Sequence, residues 1–115
     1  MLAGTHNFTI DQGAYWQRSL KLFNPDESVY NLTGYTARMH LRRDLKATTP
    51  VIALTTENGR ISLGGSNGTI TLTLQAADTA TIQHDCVYDL EIVTNDGKPY
   101  RVVQGNIRLN PEVTR

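Results

Sequence analysis

The sequence has little cysteine, few aromatic residues and no excess of charge of either sign. Its 115 residues include one cysteine, one tryptophan, two phenylalanines and five tyrosines, and 11 Lys and Arg balance 11 Asp and Glu. One cysteine excludes a disulfide within the chain and a zinc site with several thiolate ligands. A net charge of zero gives no overall attraction to nucleic acid or to an anionic membrane. We therefore expect no cofactor, nucleic acid or membrane among its ligands.

Long hydrophobic runs are also lacking. The longest aliphatic run, residues 51–54, is far below the roughly 20 residues that a membrane-spanning helix needs. The first six residues have neither the basic nor the apolar stretch of a secretory signal. We expect synthesis in the cytoplasm and a single domain over residues 1–115, with short flexible ends at 1–5 and 110–115.

Apolar and polar residues alternate with a period of two along much of the chain. This is the period of a β-strand, because successive side chains point to opposite faces of a sheet. The pattern is clearest in residues 69–74, where Ile and Leu alternate with Thr. Residues 75–82 could form one helical turn. The same alternation predicts further strands at residues 13–23, 35–43, 86–93 and about 100–109, and weaker strands at 6–10, 51–55 and 60–63.

Turn residues separate these segments at intervals of about 8–12 residues, which is typical of an all-β sandwich. Asp96 and Gly97 suit the positive φ angles of a tight hairpin turn, so the segment 86–93 should pair with the last strand. A shift of the pattern around Gln104 and Gly105 indicates a β-bulge. The sequence therefore predicts one antiparallel β-sandwich of about seven or eight strands.

No arrangement of polar residues predicts catalysis. The three histidines are not spaced as metal ligands, and the serines fall in predicted strands or ordinary loops rather than at a strand-to-helix elbow. Cys86 shares a predicted face with Tyr88 and should be a buried, unreactive thiol. Asp89 and Glu91 lie in line on one strand, unlike the carboxylates that face each other across a glycosidase cleft. We predict that the protein is not an enzyme.

Two rows of charge lie on predicted solvent faces. Arg38, His40 and Arg42 line one strand, and Asp89 and Glu91 line another. Opposite charges on neighbouring antiparallel strands are mildly stabilising, so the rows could form a ladder of ion pairs within the chain. Alternatively, one or both rows could contact a partner subunit. The sequence leaves both interpretations open.

The supply of exposed aromatic rings is small. Alternation points Trp16, Tyr35 and Tyr88 toward the core. Three tyrosines remain as candidates for exposed rings: Tyr15, Tyr30 and Tyr100. They are scattered along the sequence, so we expect a poor platform for stacking sugars.

Several segments together resemble a known group of proteins. Residues 17–22 (QRSLKL) and 31–39 (NLTGYTARM) resemble segments of small tailed-bacteriophage and prophage proteins, including the N-terminal module of phage upper baseplate proteins. Residues 87–91 (VYDLE), the turn at 96–97 and residues 101–103 and 111–115 follow in the same order. The resemblance implies an immunoglobulin-like β-sandwich that serves as a structural or attachment part of a virion, without enzyme activity.

We therefore expect a virion protein, present in several copies, that acts as an attachment, adaptor or decoration module on tail, baseplate, neck or head proteins. A carbohydrate-binding module that contacts host-surface glycans is the alternative. Open strand edges are natural docking sites for another chain, which favours the first strand near Phe8 and Ile10 or the tail beyond Pro111. The candidate partner-binding residues are thus the charged rows Arg38, His40, Arg42, Asp89 and Glu91, together with Phe8, Ile10, Tyr15, Glu112 and Arg115.

Overall fold

The computed structural model describes residues 4–114, which form two β-sheets packed face to face. In chain order the strands are β1 (Gly4–Thr5), β2 (Phe8–Asp11), β3 (Trp16–Lys21), β4 (Thr36–Arg42), β5 (Ile52–Thr55), β6 (Ile61–Leu63), β7 (Thr69–Leu74), β8 (Cys86–Val93) and β9 (Pro99–Asn110). A 3-10 turn at Gly65–Asn67 precedes β7, and the single-turn helix α1 (Ala76–Thr79) follows it. The predicted all-β sandwich is confirmed. The described residues contain nine strands rather than seven or eight because the short strand β1 precedes the strand predicted at residues 6–10, which is observed as β2.

The two sheets differ in size. The large sheet has the order β1-β9-β8-β4-β5, with β2 also pairing with β9, and the small sheet has the order β3-β7-β6. Most neighbours are antiparallel, but β1 and β2 run parallel to β9. The large sheet is therefore mixed rather than wholly antiparallel, which differs from the prediction. A parallel pair needs a long connection between its strands, and here nearly the whole chain separates the two partners.

The core lies between the sheets and is built from the inward faces of their strands. Alternation decides which side chains enter it: on β7 the residues Ile70, Leu72 and Leu74 are fully buried, while the threonines between them are not. Trp16 and Tyr88 are buried, as predicted, and Tyr35 is half-buried. Further fully buried side chains are Ile10, Met39, Leu41, Leu54, Leu90, Ile92 and Ile107.

Cys86 is buried at the start of β8, as predicted. Burial raises the pKa of its thiol, and the charge of Asp85 raises it further. The thiolate is the reactive form of cysteine, so both effects make Cys86 a poor nucleophile in the folded protein.

The structure buries the side chains of Phe8 and Ile10, two of the candidate partner contacts, within the protein's own core. Their side chains are only 5% and 0% exposed. The ring of Phe8 packs against Trp16 and Tyr88, with ring centroids 5.5 and 5.4 Å apart. The first predicted strand does lie at an edge of the large sheet, but its apolar side chains point inward and belong to the core.

Hydrogen bonds join residues near the N-terminus to residues near the C-terminus. The backbone N–H of Glu112 donates to Gln12 Oε1 at 3.0 Å, and Gln12 Nε2 donates to the carbonyl of Ile82 at 2.8 Å. Asn110 Nδ2 donates to Asp11 Oδ1 at 3.0 Å. Parts of the ends that the sequence predicted to be flexible are therefore bonded, namely Gly4–Thr5 in β1 and residues 110–112. Arg115, another predicted partner contact, lies outside the described residues.

A close approach at Gly105 allows the N-terminal strands to pair with β9. Tyr88 lies opposite Gly105 on β8, and its hydroxyl donates to the carbonyl of His6 at 2.5 Å. The N–H of Asn106 donates to the Asn7 side chain at 2.9 Å. His6 and Asn7, which separate β1 from β2, are thus held by side-chain hydrogen bonds. They occupy space that is open only because residue 105 is a glycine without a Cβ.

Replacing Gly105 with alanine should destabilise the fold by about 1–3 kcal/mol. The new Cβ would collide with the carbonyl oxygen of His6 and lie 2.9 Å from Asn7 Oδ1. Gly4→Ala is the matched control, because a Cβ there would lie 3.8 Å from its nearest neighbour, the carbonyl oxygen of Val102. Urea denaturation measures both variants. Equal stability of the two would contradict the role assigned to Gly105.

Candidate docking face

The outer face of the large sheet brings together the five residues of the two predicted charged rows. Arg38 lies opposite Glu91 and His40 lies opposite Asp89 in the register of β4 and β8, and Arg42 extends the row on β4. Because residues two apart share a face of a sheet, both rows point to solvent while Met39 and Leu90 between them point to the core. We call this surface the docking face and define it by Arg38, His40, Arg42, Asp89, Glu91, Arg101 and Gln104.

A β-bulge adds Arg101 and Gln104 to this face. The register of β8 and β9 shifts between the pairs Leu90↔Val103 and Glu91↔Arg101, so Val102 is the extra residue. Val102 and Val103 are both buried as a result. Arg101 and Gln104 therefore lie on the same outer face, and Arg101 Nη1 donates to Gln104 Oε1 at 3.1 Å. The sequence predicted a bulge a little further along, near Gln104 and Gly105, and so missed both residues.

The two carboxylates of the docking face are paired with arginines of the same chain. Arg38 Nη2 lies 3.5 Å from Glu91 Oε2, and Arg101 Nε lies 3.3 Å from Asp89 Oδ2. Four side chains of the docking face therefore form ion pairs within the chain, as the ladder interpretation predicts: Arg38, Glu91, Arg101 and Asp89. Solvent-exposed pairs of this kind contribute only about 0–1 kcal/mol each, so the ladder matters more for the charge of the surface than for stability.

Arg42 is the cation of the docking face that no acidic group neutralises. Its guanidinium donates to the carbonyl of Ala47 at 3.0 Å and to His40 Nδ1 at 3.1 Å. No carboxylate lies within 4 Å of it in the part of the chain that the structure describes. Because a guanidinium only donates hydrogen bonds, His40 Nδ1 accepts this one, and a neutral His40 ring carries its proton on Nε2. This end of the docking face is therefore electropositive.

A wide groove of about 860 Å³ runs over the docking face. At its rim, next to the electropositive end, Leu45 is 90% exposed. Val87, half-buried on the same face of β8 as Asp89 and Glu91, is the other aliphatic residue of the lining, and most of the rest is polar. The lining residues are Thr5, Arg38, His40, Arg42, Leu45, Val87, Tyr88, Asp89, Glu91, Arg101, Gln104, Gly105 and Asn106.

The groove is equipped for binding through ion pairs, hydrogen bonds and one apolar anchor. Asp89 and Glu91 lie side by side on β8, and each already binds an arginine, so they are poorly placed to act as an acid and base pair. Across residues 4–114, no group of three or more His, Cys, Asp or Glu side chains is placed to hold a metal ion. No helix of the same stretch is long and apolar enough to cross a membrane.

Two other predicted contact residues lie away from the groove. Tyr15 is 57% exposed in the turn before β3. Glu112 follows β9, where its backbone is bonded to Gln12. Neither residue lines the groove, so the structure does not join them to the charged rows.

Three tyrosines form a second cluster, which we call the tyrosine cluster: Tyr30, Tyr35 and Tyr100. The hydroxyls of Tyr30 and Tyr35 are 3.2 Å apart, and their rings meet edge to face with centroids 5.9 Å apart. The hydrogen bond with Tyr35, burial, and the charges that Tyr35 and Tyr100 would carry raise the pKa of Tyr30 to about 12. Tyr100 is 38% exposed. The structure therefore brings together two of the three predicted exposed tyrosines and adds Tyr35, which alternation had pointed inward.

No model of a protein family matches the chain, and a search of curated protein sequences finds nothing significantly similar. The functional interpretation therefore depends on the fold, the two clusters and the sequence resemblance described above.

The raised pKa of Tyr30 predicts a loss of stability in alkali. The folded protein favours the neutral phenol, so this contribution is fully present below pH 10 and is lost as the pH rises from 10 to about 12. Tyr35→Phe removes the hydrogen-bond partner and should shift the Tyr30 titration downward. Phenolate absorbance and the free energy of unfolding measured against pH both test this. Tyr15→Phe, outside the cluster, is the control, and a Tyr35→Phe variant that titrates like the unaltered protein would contradict the assignment.

Proposed function

We propose that this protein is a non-enzymatic structural protein of a tailed-bacteriophage virion, made in the host cytoplasm and present in several copies. It acts as an attachment, adaptor or decoration module that docks on neighbouring tail, baseplate, neck or head proteins. The docking face is the observation that supports docking most directly. Its two carboxylates are paired with arginines of the same chain, while Arg42 has no acidic partner among the described residues and Leu45 is exposed beside it. The assignment to a virion is supported by the resemblance to phage proteins of residues 17–22, 31–39, 87–91, 96–97, 101–103 and 111–115.

The distribution of charge on the docking face suits contact with another protein. The internal pairs of Asp89 and Glu91 leave little negative charge to repel an acidic partner. Arg42 can then form a new ion pair, and the side chain of Leu45 can be buried beside it. Interfaces between proteins are enriched in arginine and combine a buried apolar anchor with polar surroundings. The face therefore offers binding without requiring a chemical step.

Mass spectrometry of purified virions tests the location. We expect the protein in particles, at a copy number above one. If the gene is expressed in infected cells but the protein is absent from the particles they produce, the proposal is wrong.

Charge reversal at Arg42 tests whether the docking face is the contact. Arg42→Glu should lower incorporation into particles strongly, while the free energy of unfolding falls by only about 1–2 kcal/mol, because two partly buried hydrogen bonds are lost. Arg108→Glu is the matched control, since Arg108 is an exposed arginine of β9 that does not line the groove. Incorporation is measured by quantitative mass spectrometry and stability by urea denaturation. Equal incorporation of the two variants would exclude Arg42 from the contact.

A carbohydrate-binding module is the second candidate, favoured by the tyrosine cluster. Aromatic rings are the usual surface on which sugars stack, and Tyr100 is the most exposed ring of this cluster. If this function is right, the protein binds host-surface glycans on an array and Tyr100→Ala abolishes that binding. Tyr15→Ala, which removes a ring outside the cluster, should then bind normally. An array without binding would eliminate this candidate.

A further inference from the structure

The strand β3 has an edge that no other strand of the described chain covers. It pairs with β7 in the small sheet and forms the end of that sheet. The N–H of Leu22 donates to the carbonyl of Gly68 at 2.9 Å, and this register turns the backbone of Arg18 and its alternate neighbours toward β7. The backbone groups of Gln17, Ser19 and Lys21 consequently point away from the sheet.

The edge of the large sheet at β5 is covered by side chains. Asn58 Nδ2 and Arg60 Nη1 both donate to the carbonyl of Ala53 at 3.0 Å. Asn58 Oδ1 accepts the N–H of Thr55, also at 3.0 Å. Such covering is a recognised way of keeping another chain from pairing with an exposed strand.

The remaining edges are also less available than β3. At β2, the carbonyl of Thr9 accepts the indole N–H of Trp16 at 3.1 Å. The strand β6 at the far side of the small sheet has only 3 residues. By contrast β3 has 6 residues, and across residues 4–114 the N–H groups of Gln17, Ser19 and Lys21 have no acceptor.

The charge along β3 is of one sign. Arg18 and Lys21 are both exposed, and among residues 4–114 no carboxylate lies within 4 Å of either cation. Instead, the guanidinium of Arg18 lies 5.3 Å from the Trp16 ring centroid and donates to the carbonyl of Gln17 at 2.7 Å. The ammonium of Lys21 lies 5.8 Å from the Phe23 ring centroid.

We propose that β3 is the docking edge for an extended acidic segment of another protein, which adds to the small sheet as a fourth strand. This inference rests on the proposed docking function and names the chemistry of one partner. A second copy of β3 is a poor occupant, because pairing two copies would bring four positive charges together with no negative one. Backbone hydrogen bonds would hold the segment, and its carboxylates would select it.

The arrangement of Arg18 couples charge recognition to strand addition. A carboxylate of the incoming segment attracts the guanidinium of Arg18 away from the carbonyl of Gln17. That carbonyl is then free to accept an N–H of the new strand. Because Arg18 and Lys21 are three positions apart, their side chains lie on opposite faces of β3, so the segment should carry two acidic residues at the same separation.

A short peptide tests this inference on the full chain without virions. The probe is acetyl-Val-Glu-Val-Thr-Glu-Val-Thr-amide, and the control peptide has glutamine in place of both glutamates. Amide hydrogen exchange followed by NMR should slow several-fold at Gln17, Ser19 and Lys21 when the acidic peptide binds. Two exposed ion pairs predict about tenfold weaker binding of the control peptide. Protection of amides elsewhere, or equal binding of the two peptides, would overturn the inference.

Variants of β3 distinguish the contribution of its backbone edge to peptide binding from the contribution of its charged side chains. Ser19→Pro removes an N–H that points to the open edge and no N–H that bonds to β7, so it should abolish peptide binding in a protein that still unfolds cooperatively. Ser19→Ala keeps the N–H and should bind as the unaltered protein does. Should Ser19→Pro fail to fold, the double variant Arg18→Glu, Lys21→Glu should instead prefer the peptide with lysine in place of both glutamates. A folded Ser19→Pro variant that binds normally, a double variant that still prefers the acidic peptide, or dimers that form through β3 would overturn the inference. A failure here leaves the virion proposal standing, because particle composition tests that separately.

Discussion

The last strand, β9, is the element on which the large sheet depends, because it pairs with β8 on one side and with the N-terminal strands on the other. This arrangement requires two irregularities. Gly105 leaves room for the carbonyl of His6, which lies between β1 and β2. The hydroxyl of Tyr88 donates a hydrogen bond to that same carbonyl. The bulge at Val102 turns two consecutive valines toward the core. Without Gly105, the N-terminal strands could not approach β9, and without the bulge, the docking face would lose its third arginine.

The same bulge determines the electrostatic character of the docking face. Because Arg101 lies on the outer face, it forms an ion pair with Asp89, while Arg38 forms an ion pair with Glu91. Three arginines then face two carboxylates, and the unmatched one, Arg42, lies at the end where Leu45 is exposed. Each exposed pair adds little to stability. What the pairing changes is the pattern of charge that an approaching molecule meets.

Local alternation was sufficient to predict the strands whose two faces differ strongly. The strands at 69–74 and 86–93 have the predicted bounds, and the inward positions of Trp16, Tyr88 and Cys86 are confirmed. The outward positions of Arg38, His40, Arg42, Asp89 and Glu91 also agree with alternation, but it left open whether their two strands are neighbours. Alternation failed where a contact depends on residues far apart in sequence. It could not show the parallel pairing of β2 with β9, which buries Phe8 and Ile10, nor the exact position of a bulge that moves Arg101 and Gln104 to the outer face. The tyrosine cluster was missed for the same reason, because the charge of Tyr100 affects Tyr30 only in the folded chain.

The parallel pairing of residues 4–11 with residues 103–110 also has a consequence for how the molecule is made. Contacts between distant parts of a chain form slowly, because a long loop must close before they contribute any stability. On the ribosome, residues 4–11 leave the exit tunnel well before residues 103–110, with which they pair. Phe8 and Ile10 must therefore remain without their neighbours on β9 until that segment has emerged, and hydrophobic side chains in that position are typical targets of chaperones.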